Sequence, residues 1–136
     1  MSTALENAAQ ISESTTVEKP WGHERIFAAG EHGYVGKMLA VDAGHALSLQ
    51  FHKEKDETIM VASGEIVIDY GPAADSMKTR TMTQGDTIHI PARTLHRITA
   101  VTDSLLVEAS TAAHGWQTDV VRLEDRYGRA GTNTPS

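Results

Sequence analysis

No stretch of this chain keeps an apolar period of 3.6 residues for three turns between caps, yet short β-like runs follow one another closely. They are Tyr34–Val41, His45–Phe51, Thr58–Val61, Glu65–Tyr70, Thr79–Met82, Thr87–Ile90, His96–Val101 and Leu105–Ser110. Gly44, Gly64, Gly71 and Gly85 stand at their boundaries, where tight turns call for positive φ or a close backbone approach. A chain of many short strands can bury its apolar faces by stacking sheets or by closing a barrel. The expected fold class is therefore all-β. Only Thr118–Tyr127 could hold a short turn of helix, and Gly71–Lys78 reads as a longer exposed loop.

At 136 residues there is room for a single domain. Its ends differ from its middle: residues 1–16 are expected to form an adaptable arm, 17–127 the folded domain, and 128–136 a flexible tail. The absence of Cys excludes disulfides, thiolate metal sites and cysteine nucleophiles. Twelve Lys and Arg against 18 Asp and Glu leave a net charge of −6, which argues against nucleic-acid or anionic-membrane partners. No apolar run is long enough to span a bilayer, and the Ser/Thr/Ala/Glu-rich start lacks the basic and apolar parts of a signal peptide, so a cytoplasmic location is expected.

The chemistry is concentrated between Gly44 and Gly64, GHALSLQFHKEKDETIMVASG. In a strand alternate residues share a face, which puts Gln50 and His52 side by side, about 7 Å apart along the strand. Glu57 opens the next run after the charged turn Lys53–Asp56, and antiparallel pairing across that turn is expected to return its carboxylate to the same face. His96 follows the turn marked by Pro91. Two imidazoles, a carboxylate and an amide oxygen suit one divalent ion, Zn2+ first, with Mn2+, Fe2+, Co2+ or Ni2+ as alternatives. Such an ion would keep positions open for water or substrate.

The spacing of Gly44, Gln50, His52, Glu57 and Gly64 resembles the first cupin motif, and that of Gly85, Pro91 and His96 the second. Gln50 stands where the first motif usually has His, as in phosphomannose isomerases of the cupin class. The segments VEKPWGHE, YVGKMLAVDAGHALSLQFH, KDETIMVASG and DVVRLEDRYGR are similar to small stand-alone cupins related to the C-terminal domain of type II mannose-6-phosphate isomerases. The resemblance covers residues 17–129 and implies a double-stranded β-helix, the jelly-roll barrel. It also implies one bound divalent metal, a homodimer, and a small polar, phosphorylated sugar as substrate. Three departures stand out. Arg93 replaces a Gly and Ala100 an Asn of the second motif; Lys53–Asp56 replaces a His-rich run with Arg at the position of Lys55; and no nucleotidyltransferase segment accompanies the cupin, so nucleotide-sugar synthesis is not expected.

An aldose–ketose isomerase passing through an enediolate needs a base beside the ion. Glu108 is the first candidate: in LLVEAS it shares a face with Leu106 and Ser110, which is either a solvated edge or the barrel interior. His89 is the reserve, facing either solvent or the cavity. Lys37 is the candidate anchor for the substrate phosphate, with Arg93, Arg97 and Arg129 as alternatives. Trp21 is expected to clamp the N-terminal strand by packing, and His23, His32, His45 and His114 to lie at the surface or in turns. The competing readings are a metal-dependent Fe or Ni dioxygenase and a non-catalytic sugar- or effector-binding module.

Overall fold

In the computed structural model, residues 8–132 are described; parts of the expected arm (1–7) and tail (133–136) lie outside them. Among the described residues, eleven strands make two antiparallel sheets. One runs in the order β1 (Thr15–Lys19), β2 (Gly22–Ala29), β3 (Tyr34–Val41), β10 (Ser104–Thr111), β5 (Glu57–Ser63), β8 (Thr87–Ile90). The other runs β11 (Val121–Glu124), β4 (Leu49–Phe51), β9 (Leu95–Ala100), β6 (Glu65–Gly71), β7 (Lys78–Thr83). This is a single all-β domain, two facing sheets folded as a jelly-roll barrel.

Period-two alternation explains how the sheets face each other. In β5, Glu57, Ile59 and Val61 are buried while Thr58 and Met60 are exposed; in β10, Ser104, Leu106, Glu108 and Ser110 are buried in alternation. The pairing sets these inward residues side by side across three strands. Leu106 lies opposite Leu39 on one side and Val61 on the other, and two residues on, Glu108 lies opposite Lys37 and Ile59. Leu39, Ile59, Val61 and Leu106 of one sheet pack with Ile66, Ile68, Ile98 and Ala100 of the other to form the core. Beyond this apolar layer comes a polar one, where Lys37, Glu57, His96 and Glu108 point into the same interior.

The structure differs from the sequence expectation in three places. Thr118–Tyr127 holds strand β11, not helix, because Val121 and Arg122 pair with Phe51 and Gln50; a 3-10 turn at Trp116–Thr118 precedes it. The run His45–Phe51 is regular only at Leu49–Phe51, with one isolated bridge from Ala46 to Thr99. Strands β1 and β2, joined by the turn at Pro20–Trp21, extend the sheet at its edge.

Candidate functional site

Glu57 reaches the site by a route other than the expected hairpin. Strand β4 pairs with β9 and β11, whereas β5 belongs to the opposite sheet. Gln50 and His96 are direct partners across β4 and β9, and Glu57 arrives from the facing wall. The site thus bridges the two sheets, and its geometry depends on the barrel being closed.

The ligand-type atoms of His52, Glu57 and His96 all lie within 4.8 Å of one another. Glu57 Oε1 is 3.4 Å from His96 Nε2 and 3.8 Å from His52 Nε2. Both imidazoles are held through Nδ1, which donates to the Asp119 carbonyl at 2.6 Å in His52 and to the Thr94 carbonyl at 2.9 Å in His96. A proton committed to Nδ1 leaves the lone pair on Nε2, and in both rings Nε2 faces the carboxylate. Gln50 is buried beside them and its Oε1 accepts from Ser48 Oγ at 2.7 Å. The donor set fits a borderline divalent cation: two neutral imidazoles and one carboxylate oxygen, with the Gln50 amide lining the same cavity. The electrostatics agree. Burial pulls His52 down to about 4, opposed by Glu57 and helped by Lys55, so the ring is neutral at pH 7. Burial works to raise Glu57, but Lys55 and the two imidazoles outweigh it and hold the carboxyl well below its ordinary range.

Lys55 is one residue that sequence reasoning missed. A Lys in a run of four charged residues reads as solvated, yet it is 3 % exposed. Its ammonium lies 3.1 Å from Glu57 Oε2 and 3.0 Å from Glu108 Oε2. The signal was present: the resembling family carries Arg at this position. The turn is pinned by Asp119, whose carboxylate accepts from the backbone N–H groups of Lys53, Glu54 and Lys55 at 2.8–2.9 Å. Burial works against the charge of Asp119, but these three donors keep its carboxyl below the usual range.

Glu108 lies in the interior, 4 % exposed, and accepts from Ser110 Oγ at 3.1 Å. Burial and the nearby Glu57 push its carboxyl up, against the opposing pull of Lys55. Lys37 is also interior, 3.6 Å from Glu24 Oε2 and 5.2 Å from the centre of the Trp116 ring. Glu24 was another residue the sequence reading passed over. His89 is not brought to this cavity: its side chain is 58 % exposed on edge strand β8, where Nε2 lies 2.8 Å from Asp56 Oδ1. Arg97 lies on the outer side of β9 with Asp69 and Glu124, and Arg129 is paired to Asp125. Trp21 is 1 % exposed in the core, and His45 sits in a loop against the Tyr127 hydroxyl. The cavity containing Gln50, His52, Glu57, His96, Lys55 and Glu108 has an empty space of about 400 Å3, open mouth included.

Residues 6–125 match the model of the family described as mannose-6-phosphate isomerase C-terminal. The chain belongs to this family. Among curated relatives of this cupin, the xanthan biosynthesis protein XanB of Xanthomonas campestris pv. campestris is 30% identical over 115 residues, 83% of this chain and 23% of that protein. The mannose-1-phosphate guanylyltransferase ManC of Salmonella typhimurium matches with the same identity and coverage. The cupin thus spans about a quarter of the length of these relatives. Among solved structures, the capsular polysaccharide assembling protein CapF from Staphylococcus aureus superposes with a TM-score of 0.70 at 18% identity, over 85% of this chain and 33% of that one. An oxalate decarboxylase of B. subtilis does so with a TM-score of 0.70 at 14% identity, over 85% of this chain and 34% of that one. At such identities these likenesses speak for the fold. Among the described residues, no helix is long and apolar enough to cross a membrane.

Proposed function

We propose that this cupin is a metal-dependent isomerase interconverting an aldose and a ketose phosphate of the mannose 6-phosphate type. The observation that carries the reading is Glu108, a buried carboxylate joined through Lys55 to the His-Glu-His cluster without being part of it. Family membership supports the substrate class. His52, Glu57, His96 and Gln50 would hold the ion, whose positive charge would steady the oxygens of the enediolate. Glu108 takes the C2 proton of the aldose; the C–H electron pair becomes the C1=C2 bond, and the carbonyl electrons move to O1. The O2 proton then passes to O1, the O2 electrons form the C2=O bond, and the C1=C2 pair takes the proton back from Glu108 at C1, which completes the ketose. Burial suits Glu108 to this task, since a raised carboxyl pKa strengthens the base. Lys55 keeps the carboxylate oriented.

One observation favours a second reading. If Gln50 Oε1 is occupied by Ser48, the remaining His52, Glu57 and His96 form the two-His, one-carboxylate set of Fe2+ oxygenases. The test follows solvent-deuterium exchange at C2 of mannose 6-phosphate by NMR, together with metal content and oxygen uptake. Exchange should fall by about 10² or more in Glu108→Gln with metal retained. Exchange at the wild-type rate in that variant overturns the base. No exchange in the wild type, with oxygen uptake under Fe2+, moves the assignment to an oxygenase.

A further inference from the structure

Glu24 and Lys37 are buried charged residues on the inner faces of β2 and β3, 2 % and 3 % exposed, and the isomerase chemistry above uses neither. Both line the cavity that holds the His-Glu-His cluster. Glu24 Oε2 is buried and accepts no hydrogen bond among the described residues. The Lys37 ammonium stands 3.6 Å away, well outside the 2.7–2.9 Å of a charge-assisted hydrogen bond. A buried carboxylate oxygen left in this state is rare in native proteins and marks a functional group or an unseen partner. The Trp116 ring, 5.2 Å from the ammonium on its own side, holds Lys37 by a cation–π contact.

We infer that Glu24 and Lys37 are a hydroxyl-recognition pair, with Glu24 Oε2 accepting the hydrogen of a substrate hydroxyl and the Lys37 ammonium donating to its oxygen. The inference rests on the sugar-phosphate reading for its ligand class. A hydroxyl is both donor and acceptor, and so satisfies a carboxylate and an ammonium together. Charge counts against a phosphate here. Each ammonium of the cavity already faces a carboxylate, Lys37 that of Glu24 and Lys55 those of Glu57 and Glu108, so neither is an unshared cation for a phosphate. Lys37 therefore reads a neutral part of the sugar, and the phosphate is bound elsewhere.

The test is calorimetric titration of the Zn2+-loaded wild type and Glu24→Gln with mannose 6-phosphate and its 3-deoxy and 4-deoxy analogues. In the wild type one analogue should bind at least about tenfold more weakly than the parent. Glu24→Gln should weaken the parent by a similar factor and bind that analogue as the wild type does, so that the double-mutant cycle closes. If both analogues bind the wild type within about twofold of the parent, or the variant keeps the discrimination, the pair is only a structural ion pair and the inference is overturned. The wild-type series stands even if the variant folds poorly, which a thermal melt would show. Discrimination without turnover would leave the pair assigned and remove the isomerase reading; no sugar-phosphate binding at all would overturn both.

Discussion

Asp119 serves the site twice, through its backbone and through its side chain. Its carbonyl sets the His52 tautomer, and its carboxylate gathers the three N–H groups of the turn that delivers Lys55. Asp119→Ala removes only the second function. Outer-shell partners of metal sites are worth about 10–100-fold in affinity, so Co2+ affinity should fall by that factor and the visible Co2+ spectrum should shift. An unchanged spectrum with a lowered melting temperature would leave Asp119 a purely structural role. His52 yields a second prediction, for the metal-free protein. Its pKa falls from 6.5 in the unfolded chain to about 4 in the fold, so between these values the unfolded state binds the extra proton. Stability from His52 is then complete above about pH 6.5 and is lost as pH falls toward 4, by roughly 3 kcal/mol. Glu57, held low, acts in the same direction at lower pH, and Glu108, held high, acts against it. Urea titrations from pH 7 to 4.5 should show a flatter pH slope in His52→Asn than in the wild type.

The turns between strands carry two departures of opposite sign. Arg93 has φ 69°, the one non-glycine residue with positive φ among those described. That explains why the second motif has Gly at this position: a Cβ in the left-handed region costs about 1–2 kcal/mol. The turn persists because the Arg93 N–H donates to the His52 carbonyl at 2.6 Å, tying the β8–β9 connection to the end of β4. Arg93→Gly should raise unfolding stability by about 0.5–1 kcal/mol, since Gly also has more entropy to lose. Gly64 is the converse. Its φ is 90°, and a Cβ there would meet Ser104 Oγ and the Asp103 carbonyl. Gly64→Ala should cost about 2 kcal/mol or more in the same urea measurement. Opposite signs are expected in one assay.

At the scale of the molecule, β1 is a sheet edge, and the chain ahead of it carries Ile11 fully exposed. An open edge next to an exposed apolar residue favours pairing with a second copy. Light scattering should give a dimer, and removal of residues 1–14 should shift it toward monomer. A dimer of unchanged strength would place the contact elsewhere. Much of this architecture was legible beforehand: period-two alternation and glycine spacing mark most strands, and the motif spacing marks Gln50, His52, Glu57 and His96, because both are local properties of the backbone. Three features came only from tertiary closure. Which sheet carries Glu57 depends on non-local pairing, since β5 joins β10 and β8 and not β4. Whether Glu108 faces water or the cavity, and His89 the reverse, depends on which face the opposite sheet covers. Lys55, Glu24 and Asp119 read as surface charge because nothing local reports burial; each takes its role from partners on other strands or loops, 13 residues away for Glu24–Lys37 and 53 for Lys55–Glu108.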